Sequence, residues 1–123
     1  MAIQAVDHIN IVTHRLEETR DFFLRVMGLT EGFRPAFESE GYWFYAGDRA
    51  VVHIQQAARP VGPSEASALN HFAFRVTDFD GMLARLDRHG VAYEPMTVPG
   101  TAIRQAFLHD PNGVRLELSF IPD

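Results

Sequence analysis

The sequence predicts an α+β fold in which one βαβββ module occurs twice. Short segments with alternating apolar and polar residues predict strands, and two amphipathic segments predict helices. Each helical segment is followed by a glycine, Gly28 or Gly90, at the position of a left-handed C-cap. Residues of the same chemical type recur in the two halves 63 or 64 positions apart. The 123 residues are therefore interpreted as one domain made of two matching modules.

The first module is predicted at about residues 1–57. It opens with an alternating strand around residues 6–12, and an amphipathic helix follows and ends before Gly28. Three aromatic-rich segments predict its other strands, at residues 29–37, 42–46 and 50–55.

The second module is predicted at about residues 68–123, after a proline-, alanine- and serine-rich linker at about 58–67. It repeats the order, with a strand at 71–76 and a helix that Thr77 or Asp78 caps. Three more strands are predicted at residues 91–94, 103–108 and 114–120, the last two joined by the turn Asp110-Pro111-Asn112-Gly113.

The composition excludes several classes of function. A formal net charge of −5 argues against nucleic-acid binding, because no basic face dominates. No apolar run approaches the ~20 residues of a membrane span and no signal-peptide pattern opens the chain, so a cytoplasmic protein is expected. The chain has no cysteine, and all eleven basic residues are arginines. Disulfides, thiolate ligands and lysine Schiff bases are therefore excluded.

Four potential metal ligands occupy matching places in the two modules. His8 and His71 each open a strand, whereas His53 and Glu117 each lie within a strand that closes a module. Strand alternation places each of them on the more polar face, where a carboxylate flanked by leucines is not buried in the core. A single histidine on a strand is usually structural, but four symmetric groups predict a site. Three imidazoles and a carboxylate suit one divalent first-row metal ion.

Other residues predict recognition of a small-molecule substrate. Arg75 and Arg115 share the ligand face by alternation, and Arg34 lies in an aromatic-rich segment. Guanidinium groups suit a carboxylate or phosphate, although a salt bridge to a nearby acid is the alternative for each. Trp43 and Phe107 are predicted to line an apolar pocket, or else to belong to the core.

Three sequence motifs give the whole chain a family resemblance. They are Asp7-His8-Ile9, Asn70-His71-Phe72 and Asp110-Pro111-Asn112-Gly113-Val114-Arg115-Leu116-Glu117. With them the chain resembles the vicinal-oxygen-chelate superfamily, which contains glyoxalase I, methylmalonyl-CoA epimerase, fosfomycin-resistance transferases, extradiol dioxygenases and bleomycin-resistance proteins. The resemblance implies that the modules form a cupped mixed sheet around a metal ion, with the helices on the outer face. The implied ligands are His8, His53, His71 and Glu117.

The resemblance also frames the possible activities. Glyoxalase I usually has glutamate where this chain has His53, and the epimerases have glutamine. Fosfomycin transferases and single-site dioxygenases typically use three ligands, matching His8, His71 and Glu117. The first hypothesis is a lyase or isomerase that binds zinc, nickel, cobalt, manganese or iron and uses Glu117 as the base. The alternatives are an Fe(II) extradiol-type dioxygenase and a non-catalytic protein that binds a drug or metabolite.

A homodimer is the expected assembly, because each module has an edge and a concave face that need a partner. Small members of the superfamily often pair modules between chains. In that arrangement His8 and His53 come from one subunit, and His71 and Glu117 come from the other.

Overall fold

Each half of the chain forms its own four-stranded mixed sheet with a helix, so the predicted βαβββ repeat is confirmed. The computed structural model describes residues 2–123. The chain divides into two compact units, Met1–Val61 and Gly62–Asp123. No helix among residues 2–123 is long and apolar enough to cross a lipid bilayer.

In the first unit, strand β1 (Ile9–Thr13) lies parallel to β4 (Arg49–Gln56). The helix α1 (Leu16–Asp21) follows β1 and continues as a π-helical turn, Phe22–Val26. The sheet order is β1-β4-β3-β2, where β2 is Thr30–Gly32 and β3 is Gly41–Ala46. The first unit thus places the start of β1 beside the middle of β4.

The second unit repeats this topology. Strand β5 (His71–Arg75) lies parallel to β8 (Arg115–Phe120), and the helix α2 (Phe79–Arg88) connects β5 to the rest of the unit. The sheet order is β5-β8-β7-β6, where β6 is Glu94–Thr97 and β7 is Arg104–His109. Ala73 pairs with Glu117 in this sheet, as Asn10 pairs with His53 in the first.

The core of each unit comes from alternate residues of the central strands. In the first unit Phe44, Val52 and Ile54 are fully buried, and Phe23 of the π-helical turn packs against Phe44. Leu116 and Leu118 of β8 are fully buried in the second unit, as are Leu86 of α2 and Leu108 of β7. Each such side chain contributes about 1.5–3 kcal/mol by burial. The intervening residues of β4 and β8 include His53 and Glu117.

Two predicted strands differ from the observed ones, and each difference has a local cause. The strand predicted at 29–37 ends at Gly32, and further along the segment Phe37 N donates a hydrogen bond to Pro35 O where the chain turns. The strand predicted at 91–94 begins only at Glu94. Val91 N bonds Leu86 O at the end of α2, and Gly90 adopts a φ of 67° there. The amide of Val91 therefore completes the helix terminus instead of joining the sheet.

Part of the segment predicted as a linker is ordered against the second unit. It contains a short 3-10 helix, Ser64–Ala66. The Ser64 hydroxyl donates to Asn70 O at 2.6 Å and accepts from Arg115 N at 2.9 Å. The contact joins the residue before His71 to the start of β8, the strand that carries Glu117.

The turn before β8 is organised by one buried carboxylate. Asp110 is 5% exposed, and its Oδ1 accepts hydrogen bonds from the backbone amides of Asn112 and Val114, both at 2.8 Å. Its Oδ2 accepts from Asn112 Nδ2 at 2.9 Å. Burial outweighs these hydrogen bonds and raises the pKa of Asp110 above its ordinary value.

Asp110→Asn is expected to gain stability relative to the natural protein as the pH rises. The pKa of Asp110 is higher in the folded than in the unfolded state, so ionisation costs folding free energy above the unfolded pKa. Asparagine has no such cost at any pH. The measurement is the free energy of unfolding in urea from about pH 4 to 7, with the exposed Asp48→Asn as control. A difference between Asp110→Asn and the natural protein that stays constant across this range would contradict the prediction.

Candidate metal centre

The second unit places two predicted ligands side by side. His71 Nε2 lies 3.2 Å from Glu117 Oε1. Glu117 is 8% exposed, and its other carboxylate oxygen, Oε2, accepts a hydrogen bond from Gln105 Nε2 at 3.0 Å. The parallel pairing of β5 with β8 brings these side chains together, although they are 46 positions apart in the sequence.

The orientation of the His71 ring follows from its other nitrogen. His71 Nδ1 lies 2.8 Å from Asn70 Oδ1, and the same oxygen accepts from Arg115 Nη1 at 3.3 Å. Because that oxygen is an acceptor, Nδ1 carries a hydrogen and donates it. In neutral His71 the lone pair of Nε2 therefore faces a carboxylate oxygen of Glu117. Two acceptors in this position need a proton or a cation between them.

The same pair fits a metal ion by distance. An imidazole nitrogen and a carboxylate oxygen bind zinc at about 2.0–2.2 Å, so neighbouring ligand atoms on one ion lie about 3.0–3.4 Å apart. The separation of 3.2 Å between His71 Nε2 and Glu117 Oε1 falls in this range. The donor set of the second unit thus matches half of a coordination sphere.

The first unit repeats this hydrogen bond. His8 Nδ1 lies 2.9 Å from Asp7 Oδ2, and this bond lowers the pKa of the Asp7 carboxyl. Asp7 precedes His8 as Asn70 precedes His71, with the same 63-residue offset. A histidine that donates through Nδ1 is oriented to bind a metal through Nε2. The roles of Asp7 and Asn70 were not predicted, although their position before each histidine was the available signal.

His53 is held differently from the other predicted ligands. Its ring is 9% exposed and lies between two other rings, those of His8 and Trp43. The centroid distance is 3.9 Å on each side, with interplanar angles of 12° to His8 and 11° to Trp43. His53 Nε2 donates to Ala50 O at 3.1 Å. Burial, and then the proximity of His8, lower the pKa of His53, so the neutral ring is favoured.

A cavity of about 360 Å³ in the first unit opens beside these rings. It is lined by His8, Asn10, Arg34, Phe37, Ser39, Trp43, His53, Ile54 and Gln55. Arg34 donates to Ser39 O at 2.9 Å and to Ser39 Oγ at 3.2 Å, and its guanidinium lies over Phe37. Its buried Nε has no hydrogen-bond partner among the described residues. Aromatic rings and one guanidinium therefore shape the cavity.

The other predicted substrate-binding residues lie in the second unit. The His71 ring meets Phe107 edge-on at 5.7 Å, and the Arg115 guanidinium lies over the Phe107 ring at 4.1 Å. Arg75 lines a groove along α2 together with Arg85 and Arg88. That groove includes neither His71 nor Glu117.

Each unit supplies a pair of candidate ligands and not a full site. Among residues 2–123, neither unit contains a group of three or more histidine, aspartate or glutamate side chains that could hold a metal ion. His71 and Glu117 fit a metal ion by distance, and His8 fits by its hydrogen bonding.

Comparison with known proteins agrees with this architecture. Residues 5–118 match the model of the Glyoxalase/Bleomycin resistance protein/Dioxygenase superfamily, and the chain belongs to this superfamily. The predicted family is thereby confirmed.

Two similar sequences and one similar structure illustrate the relationship. The uncharacterized protein YaeR of Escherichia coli (strain K12) is 33% identical over 125 residues, which cover 96% of this chain and 97% of YaeR. The glutathione transferase FosA of Serratia marcescens is 28% identical over 119 residues, which cover 94% of this chain and 80% of FosA. The crystal structure of a putative glyoxalase family protein from Bacillus anthracis has a TM-score of 0.83 at 24% identity, covering 99% of this chain and 98% of that one.

Proposed function

We propose that this protein is a divalent-metal-dependent enzyme that moves a proton on a small substrate with two adjacent oxygen atoms, as a lyase or an isomerase. One observation carries the proposal: the lone pair of His71 Nε2 faces Glu117 Oε1 at a separation that suits two ligands of one ion. The repeated Nδ1 hydrogen bond of His8 supports it from the other unit. The complete site is proposed to form in a homodimer.

The ligand set assigned to this site is His8, His71 and Glu117. Each histidine has its Nδ1 held by a side-chain oxygen of the preceding residue, so Nε2 is the nitrogen available to the ion. When bound, a zinc, nickel, cobalt, manganese or iron ion would act as a Lewis acid that stabilises negative charge on a substrate oxygen. The proposed site thus gives His8 and His71, which occupy matching positions of the repeat, the same role as metal ligands.

Glu117 is proposed as the base. Its carboxylate is almost fully buried, and Gln105 Nε2 fixes the position of Oε2. Oε2 is thereby oriented to take a proton from a carbon next to a substrate oxygen and to return it to a neighbouring position. Gln105 is assigned to position this oxygen.

The substrate is proposed to rest in the first-unit cavity against Trp43 and Arg34, which both line it. The substrate is proposed to be small because the cavity volume is about 360 Å³. In the second unit Phe107 borders His71. Arg115 is assigned to positioning His71 through Asn70, because its Nη1 already donates to the Asn70 side chain.

A dioxygenase is the second candidate function. Two histidines and one carboxylate form the usual ligand set of non-haem Fe(II) oxygenases, and His8, His71 and Glu117 supply this set. A protein that only sequesters its ligand is the remaining alternative.

Metal content and proton exchange together test the proposal. The protein is purified without added metal, its metal is measured, and it is then treated with chelator and reloaded with each ion in turn. Proton transfer is measured in D₂O by NMR, as deuterium incorporation into a panel of 2-hydroxy ketones and 2-hydroxy acids. We expect one metal ion per chain. We also expect deuterium incorporation into a substrate, and chelator should abolish this incorporation.

Each other outcome identifies an alternative. Oxygen consumption with a catechol panel, dependent on ferrous iron and without deuterium exchange, would assign the dioxygenase. A protein that binds no ion of the panel would contradict the proposed enzyme and favour the sequestering protein. Glu94→Ala changes only an exposed position of β6, and it is measured beside the natural protein as the control variant.

A further inference from the structure

We propose that His53 is a positioning residue that holds the ring of His8, and that the metal is bound without His53. The inference rests on the proposed metal site. It departs from the four-ligand set that the sequence implies, because the geometry of the first unit does not suit His53 as a ligand beside His8.

The planes of the two rings decide this point. A metal ion bound by an imidazole nitrogen lies near the plane of that ring, at about 2.0–2.1 Å from the nitrogen. The rings of His8 and His53 are stacked at a centroid distance of 3.9 Å, with their planes only 12° from parallel. Across the width of one imidazole ring, an angle of 12° brings the two ring planes only slightly closer to each other. One ion therefore does not lie in both planes while the rings remain stacked.

Further contacts hold His53 in the stacked position. Its Nε2 donates a hydrogen bond to Ala50 O, so this nitrogen has no lone pair to offer. Trp43 covers the ring face opposite His8, at the same distance of 3.9 Å. Coordination through Nδ1 to an ion shared with His8 would require the ring to leave both stacking partners. The buried environment of β4 opposes such a movement.

The stack also explains how His8 keeps its orientation. His8 precedes β1, its side chain is 40% exposed, and the carboxylate that accepts its Nδ1 hydrogen belongs to Asp7, which is 83% exposed. Asp7 alone is a solvent-exposed anchor, and an exposed pair of this kind contributes little. The equivalent His71 has a stronger support, because Arg115 holds Asn70 and Phe107 contacts the imidazole edge-on. In the first unit the His53–Trp43 stack supplies this support.

The test compares two replacements of His53 that differ only in the ability to stack. His53→Phe keeps an aromatic ring and removes every ligand nitrogen, whereas His53→Ala removes both. Zinc affinity is measured by competition with a chromophoric chelator on the assembled protein. We expect His53→Phe to bind zinc within about threefold of the natural protein, and His53→Ala to lose about tenfold or more, as is usual for residues that orient a ligand.

The same pair of replacements at His8 gives the control. His8→Phe and His8→Ala are both expected to lose about 100-fold or more in zinc affinity, because His8 is assigned as a ligand. If His53→Phe behaves as His8→Phe does, His53 is a ligand and the inference is wrong. If the natural protein binds neither zinc nor any other ion of the panel, the proposed function itself fails, which distinguishes the two results.

A second measurement needs no variant and covers the case in which His53→Phe does not fold. Two-dimensional ¹⁵N–¹H spectra of the imidazoles report which ring nitrogens coordinate zinc. We expect zinc to shift His8 Nε2 and to leave His53 Nδ1 as a free lone-pair nitrogen. Trp43 is the only tryptophan of the chain, so its emission reports the stack directly and is expected to change little on zinc binding. A zinc-bound His53 Nδ1 would overturn the inference.

Discussion

Glu117→Ala is expected to abolish stoichiometric metal binding, with a loss of affinity of about 100-fold or more. The variant removes the only carboxylate among the assigned ligands, and with it the partner that His71 Nε2 meets at 3.2 Å. The remaining histidines supply two neutral nitrogens and no negative charge. The measurement is the metal content after dialysis against a limiting concentration of zinc, together with the zinc dissociation constant.

The fold is expected to survive this replacement. Glu117 is flanked by two fully buried leucines, which keep β8 in the sheet when the carboxylate is removed. Gln105 Nε2 loses its acceptor, at a cost of about 1–3 kcal/mol, and the removal of a buried charge offsets part of that cost. Glu94→Ala, in exposed β6, is the matched control and should keep the natural affinity. Full metal occupancy in Glu117→Ala would remove the proposed site.

The sequence predicts the fold well because the fold depends on periodicity. Buried residues alternate along β1, and fully buried apolar residues flank His53 in β4 and Glu117 in β8. This apolar–polar period of two is visible without a structure. The left-handed glycines that end the helices, Gly28 and Gly90, are also local signals. The early end of the strand predicted at 29–37 and the late start of β6 lie near hydrogen-bonded turns at Phe37 and Val91, which the alternation does not encode.

The candidate site was predictable only at the level of which residues share a face. Alternation and the repeat place His53 among the possible ligands, but they say nothing about the plane of its ring. That plane is set by Trp43, a contact across the β3–β4 pair, and by the carbonyl of Ala50 within β4. Arg115 shows the same limit. The alternation assigns it to the ligand face, whereas the hydrogen bond of its guanidinium to Asn70 depends on the fold.

Because the proposed metal site is shared between subunits, metal binding is expected to return when two inactive variants are refolded together. Strand β1, which His8 directly precedes, and strand β5, which begins with His71, are each an edge of their own sheet. An edge strand needs a partner or a cover, and a second copy of the chain can supply it. In the proposed homodimer each metal takes His8 from one subunit and the His71–Glu117 pair from the other.

His8→Ala and Glu117→Ala form the informative pair, because their defects lie in different units. In a mixed dimer with shared sites, one site contains both defects and the other contains neither. Random reassociation of equal amounts should therefore restore about a quarter of the natural zinc sites, since half of the chains form mixed dimers. The measurement is bound zinc per chain after joint unfolding and refolding, with size-exclusion chromatography to establish the dimer.

The control pair is His71→Ala with Glu117→Ala, whose defects lie in the same unit. Every site of this mixed dimer contains a damaged second unit, so no zinc binding should return whichever way the subunits pair. Recovery in the first mixture and none in the second would assign the shared site, because only exchange between chains separates these two defects. No recovery in either mixture, with mixed dimers demonstrated by a mass-tagged subunit, would instead place His8, His71 and Glu117 within a single chain.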